Sequence, residues 1–153
     1  MIDEFIDFFN QYGLAVLNSQ YLNSRDTFRT PRYEEVDVDD WREGVSEVVE
    51  IGLERLGMGK TGRLTGDGYA QLYSYNPYDS DQYFAQLDRD DDYRGGTEWK
   101  LTVFPLEDQS GQRMVRVAKD SYGNIELTFY NNRHPKNVTV RINPSNPHEN
   151  CAF

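Results

Sequence analysis

Apolar residues near the start of the chain recur at helical spacing. Ile2, Phe5, Ile6, Phe9, Tyr12, Val16 and Leu17 fall on one stripe of a helix expected to run to about Leu22. Gly13 inside that helix weakens it by roughly 1 kcal/mol relative to alanine. A second stripe is formed by Trp41, Val45, Val48, Val49, Leu53 and Leu56, with Glu47, Glu50 and Glu54 largely on the other side. Asp40 is the expected N-cap of this second helix, and Glu43 three residues on completes a capping-box pattern. Gly57 stands where a helix-ending glycine belongs. Residues 23–38 between the two helices read as a connector. Thr30-Pro31 disfavours helix, and Glu34-Glu35-Val36-Asp37 is too charged for a central strand.

From Tyr69 onward the period changes to two. Candidate strands are Tyr69–Tyr75, Gln82–Leu87, Thr97–Phe104, Arg113–Lys119, Asn124–Tyr130 and Asn137–Ile142. Ile125, Leu127 and Phe129 alternate with Glu126, Thr128 and Tyr130, and Val138, Val140 and Ile142 alternate with Thr139 and Arg141. Turn residues separate the strands at Asn76-Pro77, Asp108-Gln109-Ser110-Gly111 and Asp120-Ser121-Tyr122-Gly123. Asp88–Gly96 reads as an exposed loop. Consecutive strands with short turns make an antiparallel meander. The expected fold is therefore α+β, with two N-terminal helices packed on one face of an antiparallel sheet of five or six strands. One domain is expected over 1–153: a helical part at 1–56, a glycine-rich joint at 57–68, the sheet at 69–142 and an irregular tail at 143–153.

Charge is distributed unevenly along the 153 residues. Residues 1–56 hold 13 acids and 5 bases, a net −8; residues 57–96 hold 7 and 4, a net −3; residues 97–153 hold 6 and 7, a net +1. Such a chain repels nucleic acid and anionic membrane, because neutralising phosphates takes clustered Lys and Arg. No apolar run approaches the ~20 residues that span a bilayer. The opening Met1-Ile2-Asp3-Glu4-Phe5 is acidic where a secretory signal would be basic. Cys151 is the only cysteine, so an intrachain disulfide is excluded, and the cytoplasm or a virion is the expected setting. Aromatic residues make up 14% of the chain and raise the weight of an interaction surface, since tyrosine offers contact area with a polar tip.

Several motifs imitate chemistry without its context. Gly57-Met58-Gly59-Lys60-Thr61-Gly62 has the dinucleotide spacing, with Asp81 downstream, yet it follows a helix and precedes strands, the reverse of what a pyrophosphate site needs. Gly59-Lys60-Thr61 ends a Walker-like pattern whose first glycine is replaced by Glu54. Asp88, Asp90 and Asp92 imitate the start of an EF-hand, but Tyr93 occupies the glycine position and Trp99 the bidentate one. His148 and Cys151, with His134, lack a matching second ligand pair for zinc. No spacing selects a catalytic pair of carboxylates, and Cys151 lies too near the end to be held against a base. No cofactor, metal or catalytic residue is expected.

Asp40–Leu64 resembles one feature of the tail-completion (head–tail joining) proteins of long-tailed phages, in which an amphipathic helix runs into a T-G-x-L turn followed by a sheet. Thr61-Gly62-Arg63-Leu64 supplies the turn, and Tyr83-Phe84-Ala85 stands for the later Tyr-Ala strand. Gly59-Lys60 replaces the proline usual before that turn, and the glutamate–glycine–threonine sequence after the strand is absent. The resemblance implies a virion or assembly role.

Two functions are expected from these readings. The first is a non-enzymatic protein–protein interaction or assembly component, binding a partner or itself, with acidic helical surface meeting a more basic sheet surface. The alternative is an acidic inhibitor that imitates nucleic acid toward a basic nucleic-acid-binding protein. Asp37, Asp39, Asp40, Glu43 and Glu47 are the candidate contact residues on the helical side, Asp90, Asp91 and Asp92 form a second acidic cluster, and Lys60 and Arg63 make the glycine-rich stretch locally basic. A hydrolase would instead be recognised by a deep pocket gathering buried carboxylates.

Overall fold

The computed structural model describes residues 2–19, 27–29, 35–57, 60–64, 70–75, 83–104, 112–131, 136–145 and 151–152. Helix α1 (Ile2–Phe8) passes through a π-helical turn (Phe9–Gly13) into a short α2 (Leu14–Leu17). Gly13 explains the turn: a β-carbon there would fall 2.5 Å from the Phe9 ring. The glycine that lowers helix propensity is what lets that ring lie against the backbone. Expected helix positions 20–22 lie outside the described residues.

Helix α3 (Val38–Gly57) begins three residues before the expected start and ends at the expected glycine. Its cap is Asp37, whose Oδ1 accepts the N–H groups of Asp39 (2.9 Å) and Asp40 (3.3 Å). Asp40 is thus already helical and does not cap. The connector before α3 contains a separate antiparallel ribbon, β1 (Thr27–Arg29) with β2 (Glu35–Asp37), outside the main sheet.

The main sheet is antiparallel throughout. Strands β3 (Lys60–Leu64), β4 (Ala70–Tyr75), β5 (Tyr83–Asp90), β6 (Thr97–Val103), β7 (Arg113–Lys119), β8 (Ile125–Asn131), β9 (Lys136–Ile142) and β10 (Cys151–Ala152) lie side by side in sequence order. All six expected strands are present. Two more extend the sheet to eight strands among the described residues: β3 at one edge, inside the stretch read as a joint, and β10 at the other, inside the tail read as irregular. β5 also runs on through Asp90, so Asp88, Arg89 and Asp90 belong to a strand and only Asp91–Gly96 connects it to β6. The turns at Asn76-Pro77 and Asp108–Gly111 lie outside the described residues.

Alternation divides the sheet cleanly. Ala85, Leu87, Trp99, Leu101, Val103, Val115, Val117, Ile125, Leu127, Val138, Val140 and Ile142 are buried toward the helices. The ladder register aligns them in rows, such as Trp99, Val117, Leu127 and Val140.

The two helical segments cross this face in opposite directions. α1 starts over β5 and β6, where the Phe5 and Trp99 rings meet at 5.8 Å and Arg89 reaches Glu4; α2 ends over β8 and β9. α3 starts over β9, where the Trp41 indole N–H donates to the Val138 carbonyl (3.3 Å), and ends near β6, where Arg55 donates to the Phe104 carbonyl. Gly44 and Gly52 set the close approach of α3. Added β-carbons would fall 2.7 Å from the side chains of Phe129 and Leu101 respectively.

Candidate functional site

The outer side of the helical layer is acidic. On α3, Asp39, Glu43, Glu47, Glu50 and Glu54 are all exposed, and their spacing of four, four, three and four residues keeps them on one ridge. Successive members stand about 4.5–6 Å apart along the axis, given the ~1.5 Å rise per residue. Asp3, Glu4, Asp7, Asp37 and Asp40 are exposed as well. Ion pairs relieve part of this charge: Arg42 with Asp39 at 3.6 Å, Arg113 with Glu47 at 2.9 Å and Arg89 with Glu4 at 2.6 Å. Asp3, Asp7, Glu43 and Glu50 have no ion-pair partner among the described residues. Like charges at i,i+4 oppose helix formation by a few tenths of a kcal/mol per pair, so the fold tolerates this ridge without needing it.

The opposite side of the sheet has no α-helix on it among the described residues, only the short 3-10 turn Tyr93–Gly95. Its centre is an ion triad that no sequence motif announced. Arg116 on β7 donates from Nε to Glu98 on β6 (2.7 Å) and from Nη1 to Glu126 on β8 (3.0 Å). All three side chains are only 16–17% exposed. Burial by itself would lower the Arg116 pKa; Glu98 first, then Glu126, outweigh it and raise the pKa above its ordinary value. Tyr93, in the connection between β5 and β6, sits over the guanidinium at 4.9 Å and donates its hydroxyl to Glu126 (3.0 Å). Burial raises the Tyr93 pKa above its ordinary value; Arg116 pulls the other way and Glu126 adds to the rise.

Beside the triad lies a shallow cavity of about 100 Å³ lined by Asp88, Arg89, Asp90, Glu98 and Lys100. Asp88 accepts from the Gln86 amide through both oxygens at 2.9 Å, and Asp90 caps the Asp92 N–H at 2.9 Å. The described open face thus carries Asp88, Asp90, Glu98 and Glu126 against Lys100, Arg116 and Arg141, which is near balance. It is less acidic than the helical side.

The buried carboxylate among the described residues is Asp120, and it serves a turn. Its Oδ1 accepts the amides of Tyr122 (2.9 Å) and Asn124 (3.0 Å), and its Oδ2 accepts from the Asn124 side chain (2.8 Å). Burial opposes the charge, but these bonds, with Arg141 nearby, hold the carboxyl below its ordinary range. Among the described residues no group of three or more His, Cys, Asp or Glu side chains is arranged to hold a metal ion.

The structure joins some of the candidate contact residues and separates others. Asp37, Asp39, Asp40, Glu43 and Glu47 share the first turns of α3 or its cap, on the β9 side. Asp90, Asp91 and Asp92 lie at the far end of β5, where Asp91 pairs with Arg89 at 2.6 Å, so the two acidic clusters occupy different corners. Lys60 and Arg63 are in register with Ser74 and Gln71 on the edge strand β3. Alternation alone puts Glu98, Arg116 and Glu126 on one side of their strands; the missing signal was the register that makes them neighbours.

No family model, curated protein or solved structure matches this chain. No helix among the described residues is long and apolar enough to cross a membrane.

Proposed function

We propose that the chain is a non-enzymatic protein–protein interaction or assembly component whose contact surface is the acidic outer side of the helical layer. The phage head–tail role implied by the Thr61-Gly62-Arg63-Leu64 resemblance is one form of it. The observation that carries the reading is the exposed ridge from Asp39 to Glu54, whose mutual repulsion the fold does not require. A surface of this kind gains its stabilisation from a cationic partner, and it speeds the encounter with one. Sedimentation at low and high salt tests the assembly form. Defined oligomers or particle-bound protein, dissociated by Glu43→Lys with Glu47→Lys, support it; a strict monomer that joins no particle and no protein sinks it.

The recurrence of a carboxylate every three or four residues, about 4.5–6 Å along the ridge, favours a second form, an acidic inhibitor that imitates a polyanion toward a nucleic-acid-binding protein. Its signature is a 1:1 complex with a basic protein that both salt and duplex DNA dissociate. A complex unaffected by DNA, or one that survives charge reversal at Asp37, Asp39 and Asp40, argues against it.

A further inference from the structure

The connection between β5 and β6 is held close to the sheet by four contacts, two of which share Glu126. Tyr93 covers the Arg116 guanidinium at 4.9 Å and donates to Glu126 at 3.0 Å. Arg94 pairs with the other oxygen of Glu126 at 3.9 Å. The Arg94 carbonyl accepts the Ser121 amide of the β7–β8 turn at 3.3 Å. Gly96 lies so close to β7 that a β-carbon would fall 1.8 Å from the Lys119 carbonyl oxygen.

The same segment is held in an unfavourable backbone state. Arg94 sits at φ 45°, ψ 37°, a left-handed conformation that side-chain-bearing residues avoid, and Gly95 follows at φ 77°. Such a conformation persists only where surrounding contacts over-determine it. Beneath the segment Ala118, between Glu98 and Glu126 in the ladders, is fully buried although it belongs to the side without α-helices. Strain and fastening oppose each other here, and most of the fastening is electrostatic.

We propose that residues 91–96 are an ionic latch over the Arg116 triad: the strap is closed by Glu126 and Tyr93 and opens, with the sheet intact, when those contacts are weakened. Opening relaxes Arg94 and uncovers Ala118 and the guanidinium with its two carboxylates. The groups facing Glu126 are Arg116 from β7, Tyr93 and Arg94 from the strap, and Arg141, its ladder neighbour on β9. Glu98 shares Arg116 with it. This latch is independent of the acidic helical ridge and stands or falls apart from it.

Amide hydrogen exchange tests the latch directly. The Ser121 amide, bonded to Arg94, reports strap closure; the amides of Val117 and Leu127, inside the sheet on β7 and β8, report the sheet. Raising salt should speed Ser121 exchange severalfold while the ladder amides hold, because screening weakens the partly exposed pairs. Glu126→Gln and Tyr93→Phe should each speed it about tenfold at low salt, the scale of one charge-assisted hydrogen bond. Gly96→Ala should do the same by sterics, and it should abolish the salt response. Ser121 exchanging at the ladder rate under all conditions would overturn the proposal, as would indifference of Ser121 to both Glu126→Gln and Tyr93→Phe.

Discussion

Gly52 on α3 meets Leu101 on β6 so closely that a β-carbon would fall 2.7 Å from the leucine side chain. Alanine is the better helix former by about 1 kcal/mol, yet Leu101 is fully buried and has nowhere to swing. Gly52→Ala should therefore destabilise the protein by roughly 1–3 kcal/mol, the cost of overpacking. Gly44→Ala should cost less: its neighbour is the outer end of the Phe129 ring, which is only partly buried. Urea denaturation of the two variants gives the ranking.

Asp120 makes an acid-sensitive turn. Its folded pKa lies below the ordinary 3.8, so its contribution is fully present above that pH and is lost as pH falls through the folded value. Asp120→Asn puts an amide nitrogen against the Asn124 amide nitrogen, or else against two backbone N–H groups. A loss of about 1–2 kcal/mol at neutral pH is expected. The variant should also lose less stability than the parent below pH 3.8. Denaturation midpoints at neutral and acid pH measure both effects.

Tyr93 behaves in the opposite sense. Its folded pKa is raised above the ordinary 10.0, so its contribution is present below that pH and is lost as pH rises through the folded value. A phenolate there would face Glu126 across the same contact. Ultraviolet titration of the parent minus Tyr93→Phe should isolate one tyrosine ionising above pH 10.0.

Arg116→Met removes the countercharge from Glu98 and Glu126 while keeping the stem. Because the three side chains are mostly withdrawn from water, the loss should be about 2 kcal/mol, above the range for exposed pairs. Adding Glu98→Gln and Glu126→Gln to that variant should recover part of the loss, since no carboxylate is then left without its cation. Thermal unfolding of the single and triple variants separates lost attraction from stranded charge.

Much of the fold was legible in the sequence. Period-two runs such as Ile125, Leu127 and Phe129 defined strand and face together, because one side of each strand is buried against helices. The stripe from Trp41 to Leu56 was equally plain. Glu47, Glu50 and Glu54 on its far side followed from the same period, whereas Asp39 joined them only because the helix starts earlier than expected. β3 was hidden because Gly62 and its charged neighbours carry little strand preference; its ladder with β4 supplies what local propensity does not. The start of α3 was misplaced because both Asp37 and Asp40 are good caps, and the choice depends on where the backbone enters the helix. Arg116 was invisible as a centre for a different reason. Glu98 lies 18 residues before it and Glu126 10 after, and only ladder register brings them within hydrogen-bond reach.

The bond from Trp41 to the Val138 carbonyl spans 97 residues and bears on how the chain is made. At ribosomal speeds of about 5–20 residues per second, the tryptophan leaves the ribosome roughly 5–20 s before its acceptor exists. Throughout that interval Trp41, Phe5 and Phe9 lack the strands that bury them, while the exposed carboxylates in and beside the helices keep the nascent segment hydrated and mutually repelling. The acidic coat thus acts as a built-in solubiliser during synthesis, protecting an aromatic surface until the last strands arrive to cover it.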